Sequence, residues 1–237
     1  MPLAEAPTVV VVNPNTNRGT TAMMAELAHQ HLAPAGLVVE GITVARGPSM
    51  IVDPSALADA AGHVVGAVRD HLAGPSGDRV GAVVVGAVGD PGRAELAAVL
   101  DVPVVGIGQA SVLAAGARGR RFGMVTSTPL LVDSLTELVR AHGSLGNFTG
   151  VHLTSTDPLT LAASPEQQRR ELAEAARACA VGGAEAVIVA GGPLSRAARQ
   201  LAELDLVEIV EPLPSASRMV LDLVAGDLGR RATTEQR

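Results

Sequence analysis

Four consecutive valines at positions 9–12 and three more at 83–85 have no polar residue between them. A strand on a half-exposed sheet alternates apolar and polar residues. A strand covered on both faces does not, and this pattern belongs to parallel sheets flanked by helices. The same kind of run recurs along the chain. Strands are expected at Thr8–Val12, Val38–Val44, Gly81–Val85, Val104–Ile107, Arg121–Val125, Gly150–Leu153, Ala186–Val189 and Val207–Val210. Between them lie helical stretches, expected at Thr20–His31, Pro54–Leu72, Pro129–His142, Pro165–Val181 and Ser215–Leu228. Asp53 stands as a cap before Pro54, and Ser164 before Pro165. Strand–helix alternation of this kind specifies an α/β fold of doubly wound parallel sheets.

A weak internal repeat divides the chain. Val9–Thr16 and Gly123–Pro129 are strands that run into small polar loops. Ala82–Gly89 and Ala186–Pro193 are strands that run into glycine-rich turns, in the same order, a little over 100 residues later. Two pseudo-symmetric lobes with a cleft between them are expected. The first lobe is residues 1–112, joined by the C-terminal helix 215–228. The second is 113–214, and 229–237 forms a flexible polar tail. Ligands of open parallel sheets bind beyond the carboxyl ends of the strands, where all four of these loops lie.

The interior must be filled by small aliphatic residues, because the 237 residues include no Trp, no Tyr and two Phe against 47% hydrophobic content. No aromatic platform exists for stacking bases, and a net charge of −6 gives no basic face, so nucleic acid is not an expected partner. One cysteine, Cys179, excludes a disulfide framework or a cysteine-rich metal site and reads as a buried, inert helix thiol. No apolar run approaches the ~20 residues of a bilayer span, and no secretory leader pattern opens the chain. A cytoplasmic, cofactor-independent protein acting on a small molecule, with no membrane partner, is the expectation. Its apolar composition and small net charge are compatible with a homo-oligomer.

Seven segments carry a family resemblance. They are Val-Val-Asn-Pro-Asn-Thr at 11–16, Gly-Pro-Ser-Met-Ile at 47–51, Gly-Asp-Pro-Gly at 89–92, Pro-Val-Val-Gly-Ile-Gly-Gln-Ala-Ser at 103–111, Arg-Phe-Gly-Met-Val-Thr at 121–126, Gly-Ala-Glu-Ala at 183–186 and Val-Glu-Pro at 210–212. In this order they resemble the aspartate/glutamate/hydantoin racemase superfamily, and hydantoin and allantoin racemases within it, over residues 8 to about 226. The resemblance implies two catalytic cysteines, one on each glycine-rich exit. Here Ala87 and Gly192 stand at those positions. Neither residue can take or return a proton, and losing a positioned acid–base group costs about 10²–10⁴-fold.

What the resemblance retains is a set of binding loops. The expected substrate contacts are Asn13, Asn15, Thr16, Ser49, Ala87, Val88, Thr126, Ser127, Thr128, Gly191, Gly192 and Glu211. Asp90 and His152 are the proton-transfer candidates. Asp90 also reads as a turn or cap residue and His152 as a packed strand residue. No metal-ligand spacing, P-loop or dinucleotide fingerprint is present. The expected activity is isomerase- or lyase-type chemistry without a thiol: cyclisation, dehydration or isomerisation of a small carboxylate- or amide-containing metabolite. The alternatives are a non-catalytic binding protein on the same fold, and a hydantoin or amino-acid racemase using non-cysteine groups.

Overall fold

The computed structural model describes residues 6–234, with side chains through 225. Two four-stranded parallel sheets form its frame. Strands β1 (Thr8–Asn13), β2 (Val38–Thr43), β3 (Val80–Val85) and β4 (Val104–Gly106) are ordered β2-β1-β3-β4. Strands β5 (Phe122–Thr126), β6 (Phe148–Leu153), β7 (Ala186–Val189) and β8 (Glu208–Val210) repeat that order as β6-β5-β7-β8. In each sheet the chain winds one way from its first strand and the other way from its third. The switch points therefore lie between β1 and β3, and between β5 and β7, where such folds place their ligands.

The continuous apolar runs are explained by what covers them. Val9 and Val11 face a central core shared by both sheets, while Val10 and Val12 face an outer core. Phe122, Met124, Ala186 and Ile188 join the central core from the second sheet, and Val125, Val187 and Val189 face its outer side. Helix α2 (Pro54–Leu72) contributes Val64 and Val68 to the outer core of the first sheet. Helix α7 (Pro165–Val181) contributes Leu172 and Ala176 to that of the second. The central layer is made by α1 (Arg18–Leu32), α4 (Ile107–Ala115) and α9 (Pro212–Thr234). Because α9 packs on α1, α4, β3 and β4, the end of the chain returns to the first sheet.

Several boundaries differ from expectation. Four short helices lie outside the expected ones: α3 (Arg93–Ala97), α4, α6 (Pro158–Ala162) and α8 (Ser195–Ala202). Ile107, expected to end β4, begins α4 instead, and α4 crosses the expected lobe boundary at 112. The stretch expected as one helix from Pro129 is a 3-10 turn, Pro129–Leu131, followed by α5 (Val132–Ala141). Helix α9 begins at Pro212 and continues through Thr234, so residues 229–234 of the expected tail are helical, and 235–237 lie outside the described residues. Asp53 caps α2 as expected, its Oδ1 accepting from Ala56 N at 2.9 Å. Ser164 precedes α7 without a side-chain cap bond. Among the described residues no helix is long and apolar enough to cross a membrane.

Cys179 is fully buried on α7, and burial pushes its thiol above the usual range. It fills the space left by Gly123, where a Cβ would stand 2.2 Å from Cys179 Sγ and 2.8 Å from Thr149 Oγ1. Overpacking of this kind costs about 1–3 kcal/mol. Gly123→Ala is expected to lower stability by that order in urea denaturation. In combination with Cys179→Ala the loss should be smaller than the sum of the two single losses, because removing Sγ vacates the space. Strict additivity would contradict this packing.

Candidate active site

The exits of β1, β3, β5 and β7 converge on one cleft between the lobes. It holds about 660 Å³ of empty space including its mouth, and Asn15, Ala87, Ser127 and Gly192 each line it. The β1 exit is built by an asparagine network. Asn13 is buried, and the two hydrogens of its Nδ2 are shared among Asn15 Oδ1 at 3.0 Å, Asn17 O at 2.9 Å and Thr21 Oγ1 at 3.0 Å. Its Oδ1 accepts from Asn15 N at 3.2 Å. Asn15 Oδ1 also accepts from Asn17 N at 2.9 Å. With its oxygen engaged twice, Asn15 presents Nδ2 as its unengaged group, a donor with no partner among the described residues.

The β3 and β7 exits meet backbone to backbone. A Cβ on Gly192 would stand 2.4 Å from the Gly86 carbonyl oxygen. A Cβ on Gly86 would stand 2.8 Å from Met24 Cε and 3.0 Å from the Val12 carbonyl oxygen. Only glycine fits at 192 while this spacing holds, and a side chain at 86 would displace the end of Met24. The N–H groups of Ala87, Val88, Gly191 and Gly192 make no hydrogen bond among the described residues. Such uncovered N–H groups in turns form anion- and carbonyl-binding concavities.

On the β5 exit, Thr126 is tied inward. Its hydroxyl donates to Ala190 O at 2.8 Å and lies 3.0 Å from Thr128 Oγ1. This bond stitches the β5 exit to the β7 exit. Ser127 lies between the two threonines, 7% exposed, with neither its hydroxyl nor its N–H partnered among the described residues. The rest of the wall is apolar, including Met50, Ile51, Leu57, Leu131 and Leu135, with the Gln168 side chain near the mouth. Among the described residues, no ionisable side chain lines the cleft. The chain's one thiol, Cys179, is not in its lining either.

The expected site residues therefore separate. Asn15, Ala87, Val88, Thr126, Ser127, Thr128, Gly191 and Gly192 come together in the cleft. Asn13 lies behind Asn15 and orients it. Thr16 is engaged by the neighbouring loop, its N–H donating to Pro48 O at 3.1 Å, and Ser49 lines an adjoining cavity. His152 lies on the edge strand β6, beside Val125 in register, and is not in the cleft lining. Glu211 is also outside that lining, and burial raises its carboxyl above the usual range. Met50, Ile51, Leu57 and Gln168 were not expected. The two helical residues carry no local signal, whereas Met50 and Ile51 belong to a segment of the resemblance. Among the described residues no group of three or more His, Cys, Asp or Glu is placed to hold a metal.

Asp90 has a different place from the one a proton carrier needs. Its carboxylate accepts from Gly108 N at 2.8 Å and Gln109 N at 2.6 Å, at the start of α4. A Cβ on Gly106 would stand 2.1 Å from Asp90 Cγ, so the Gly106-Ile107-Gly108 segment makes room for this carboxylate. The Asp-Pro-Gly and Gly-Ile-Gly segments are thus two halves of one capping device. Glu171 is a second buried anchor that the sequence did not reveal. It accepts from the N–H and hydroxyl of both Ser155 and Thr156, and from Gln167 Nε2. Led by the Thr156 hydroxyl, these donors hold its carboxyl down at about 2. The loop it fixes leads to Pro158 at the cleft.

Burial pushes Asp90 from 3.8 up to about 6, against the opposing pull of the Gly108 and Gln109 N–H groups and of Arg93. A carboxyl with a raised folded pKa holds its proton in the folded state after the unfolded chain has released it. Its contribution to stability therefore falls as pH rises from about 4 to about 6, by up to about 1.4 kcal/mol per pH unit. The difference in unfolding free energy between the wild type and Asp90→Ala is expected to decline across that window. A difference that stays flat or grows there would contradict the assignment.

Comparison with known proteins fits this geometry. The family model described as Asp/Glu/Hydantoin racemase matches residues 9–220. The chain is 28% identical to the hydantoin racemase of Paenarthrobacter aurescens over 92% of this chain and 91% of that protein. It is 26% identical to the hydantoin racemase of Pseudomonas sp. (strain NS671) over 95% of this chain and 88% of that protein. An allantoin racemase structure from Klebsiella pneumoniae superposes with a TM-score of 0.83 at 26% identity, covering 93% of this chain and 88% of that one. The chain belongs to the Asp/Glu/hydantoin racemase family.

Proposed function

We propose that this protein binds a small carboxylate- or amide-containing metabolite between its lobes and transforms it without a thiol. The observation that carries the proposal is the composition of the cleft. Asn15 Nδ2, the Ser127 hydroxyl and the free N–H groups of the β3 and β7 exits face a space with no ionisable lining side chain among the described residues. Such an array suits a carbonyl or carboxylate oxygen on which negative charge develops. In an apolar surround, one fixed donor of this kind contributes about 10²–10³-fold to turnover. Ala87 and Gly192, at the positions where the resemblance expects thiols, offer no proton. The proton then moves through water or between groups of the ligand itself. Isomerisation, cyclisation and dehydration all pass through charge that this array would stabilise, and holding reacting groups together supplies part of the barrier reduction.

A second reading, racemisation by non-cysteine groups, is favoured by the similarity to hydantoin racemases over nine tenths of the chain. It needs an acid–base pair, and neither Asp90 nor His152 lines the cleft. A purely binding role is the third reading.

Hydantoin and allantoin in ²H₂O separate the three. The proposal expects each to raise the melting temperature. Asn15→Ala and Ser127→Ala should remove that shift. Any conversion by the wild type should fall about 10²-fold in Asn15→Ala and be unaffected by iodoacetamide. Fast loss of the ring C–H proton together with racemisation would favour the second reading. Stabilisation without conversion of a panel of small amides and carboxylates would leave binding alone. The absence of any stabilisation would overturn the proposal.

A further inference from the structure

A second cavity adjoins the mouth of the cleft and shares Met50, Gln168 and Pro193 with it. The two differ in electrostatic character. The outer cavity contains one charged side chain, Arg196, and no acidic one among the described residues. Arg196 lies in the first turn of α8, is exposed, and forms no ion pair or hydrogen bond among the described residues. Opposite it stands the first turn of α1, where Asn17, Gly19 and Thr20 line the same space. Asn17 Oδ1 caps Thr20 N at 3.1 Å, but the N–H groups of Arg18 and Gly19 have no partner among the described residues. Thr20 is 8% exposed, and its hydroxyl has no hydrogen-bond partner among the described residues. No acidic residue occupies the first turn of α1 to neutralise that helix end.

An unpartnered hydroxyl on a buried residue, two free N–H groups at the positive end of a 15-residue helix and one guanidinium all favour an anion. A groove on the other side of Arg196 holds competing charges. There Glu26 and Arg199 share its lining, and Arg199 donates to Gln30 Oε1 at 2.6 Å. Met50, Gln168 and Pro193 line both spaces, so a substituent carried past them from the cleft enters this cavity.

We propose that this vestibule binds an anionic substituent, a carboxylate on a short chain, of the same ligand whose amide or carboxylate head occupies the cleft, and that Arg196 sets this preference. The inference rests on the reading of the cleft as the ligand site. It narrows the substrate class to molecules with a neutral or delocalised head and a charged tail. Because Arg196 is exposed, salt screens its part of the attraction.

Calorimetric titration with hydantoin and with hydantoin-5-acetic acid tests it, on the wild type, Arg196→Ala and Arg199→Ala, with acetate as a separate titrant. The expected result is about tenfold tighter binding of the acid than of hydantoin, a common size for one charge-assisted contact. That advantage should vanish in Arg196→Ala, persist in Arg199→Ala and shrink in 0.5 M NaCl. Acetate alone should bind far more weakly than the linked acid. Equal binding of the two hydantoins would overturn the vestibule and leave the cleft reading intact. An advantage that survives Arg196→Ala would also overturn it. Binding of the acid but not of hydantoin, with loss in Arg196→Ala, would support the vestibule and overturn the neutral-head reading. Binding of neither probe would overturn both.

Discussion

The contact between Gly192 and the Gly86 carbonyl sets the form of the whole site. A single added carbon at 192 would stand 2.4 Å from that oxygen, so the β3 and β7 exits can approach this closely only without a side chain there. Close approach leaves N–H groups from both lobes uncovered in one small space. It also leaves no room for a thiol at 192 while the spacing holds. Ala87 presents one methyl from the facing exit. Neither position then carries a side-chain acid or base.

Those donors are held by groups in and behind the cleft wall. Asn13 spends its amide on Asn15, Asn17 and Thr21, and so fixes the orientation of Asn15. Thr126 binds the Ala190 carbonyl and thereby couples two exits of the second lobe. Asp90 caps α4, and Glu171 anchors the loop that leads to Pro158. Each of these polar groups is buried and bonded, which is how a site keeps its geometry against thermal motion. Thr126 lines the cleft, whereas Asn13, Asp90 and Glu171 lie outside its lining.

The sheets were legible because their central strands are apolar on both faces. Val9–Val12 and Ala186–Val189 have no competing reading at that length. The edge strand β6 begins at Phe148 rather than Gly150, because it is half-exposed and lacks such a run. Helix α4 was hidden because its cap is supplied from Asp90, eighteen residues earlier, and because Val104–Ile107 reads locally as a strand. The cleft was legible only where it is made by strand exits. Leu57 and Gln168 are ordinary helix residues, and only the packing of α2 and α7 brings them to the mouth. Asp90 and His152 were singled out by residue type, but type says nothing about direction. Asp90 is turned toward the α4 N–H groups, and His152 lies on an edge strand. Glu171 lies within a charged helical segment and reads as a solvated residue until the 155–156 loop is folded onto it.

The central claim is that the ligand is held by oriented neutral donors, with Asn15 Nδ2 chief among the side chains. The most direct measurement is the side-chain ¹⁵N–¹H resonance of Asn15, assigned by its loss in Asn15→Ala, during titration with hydantoin. The account predicts that this resonance shifts and saturates with the same dissociation constant as the rise in melting temperature, while that of the structural Asn13 moves little. Saturable hydantoin binding that leaves the Asn15 resonance unmoved would contradict it.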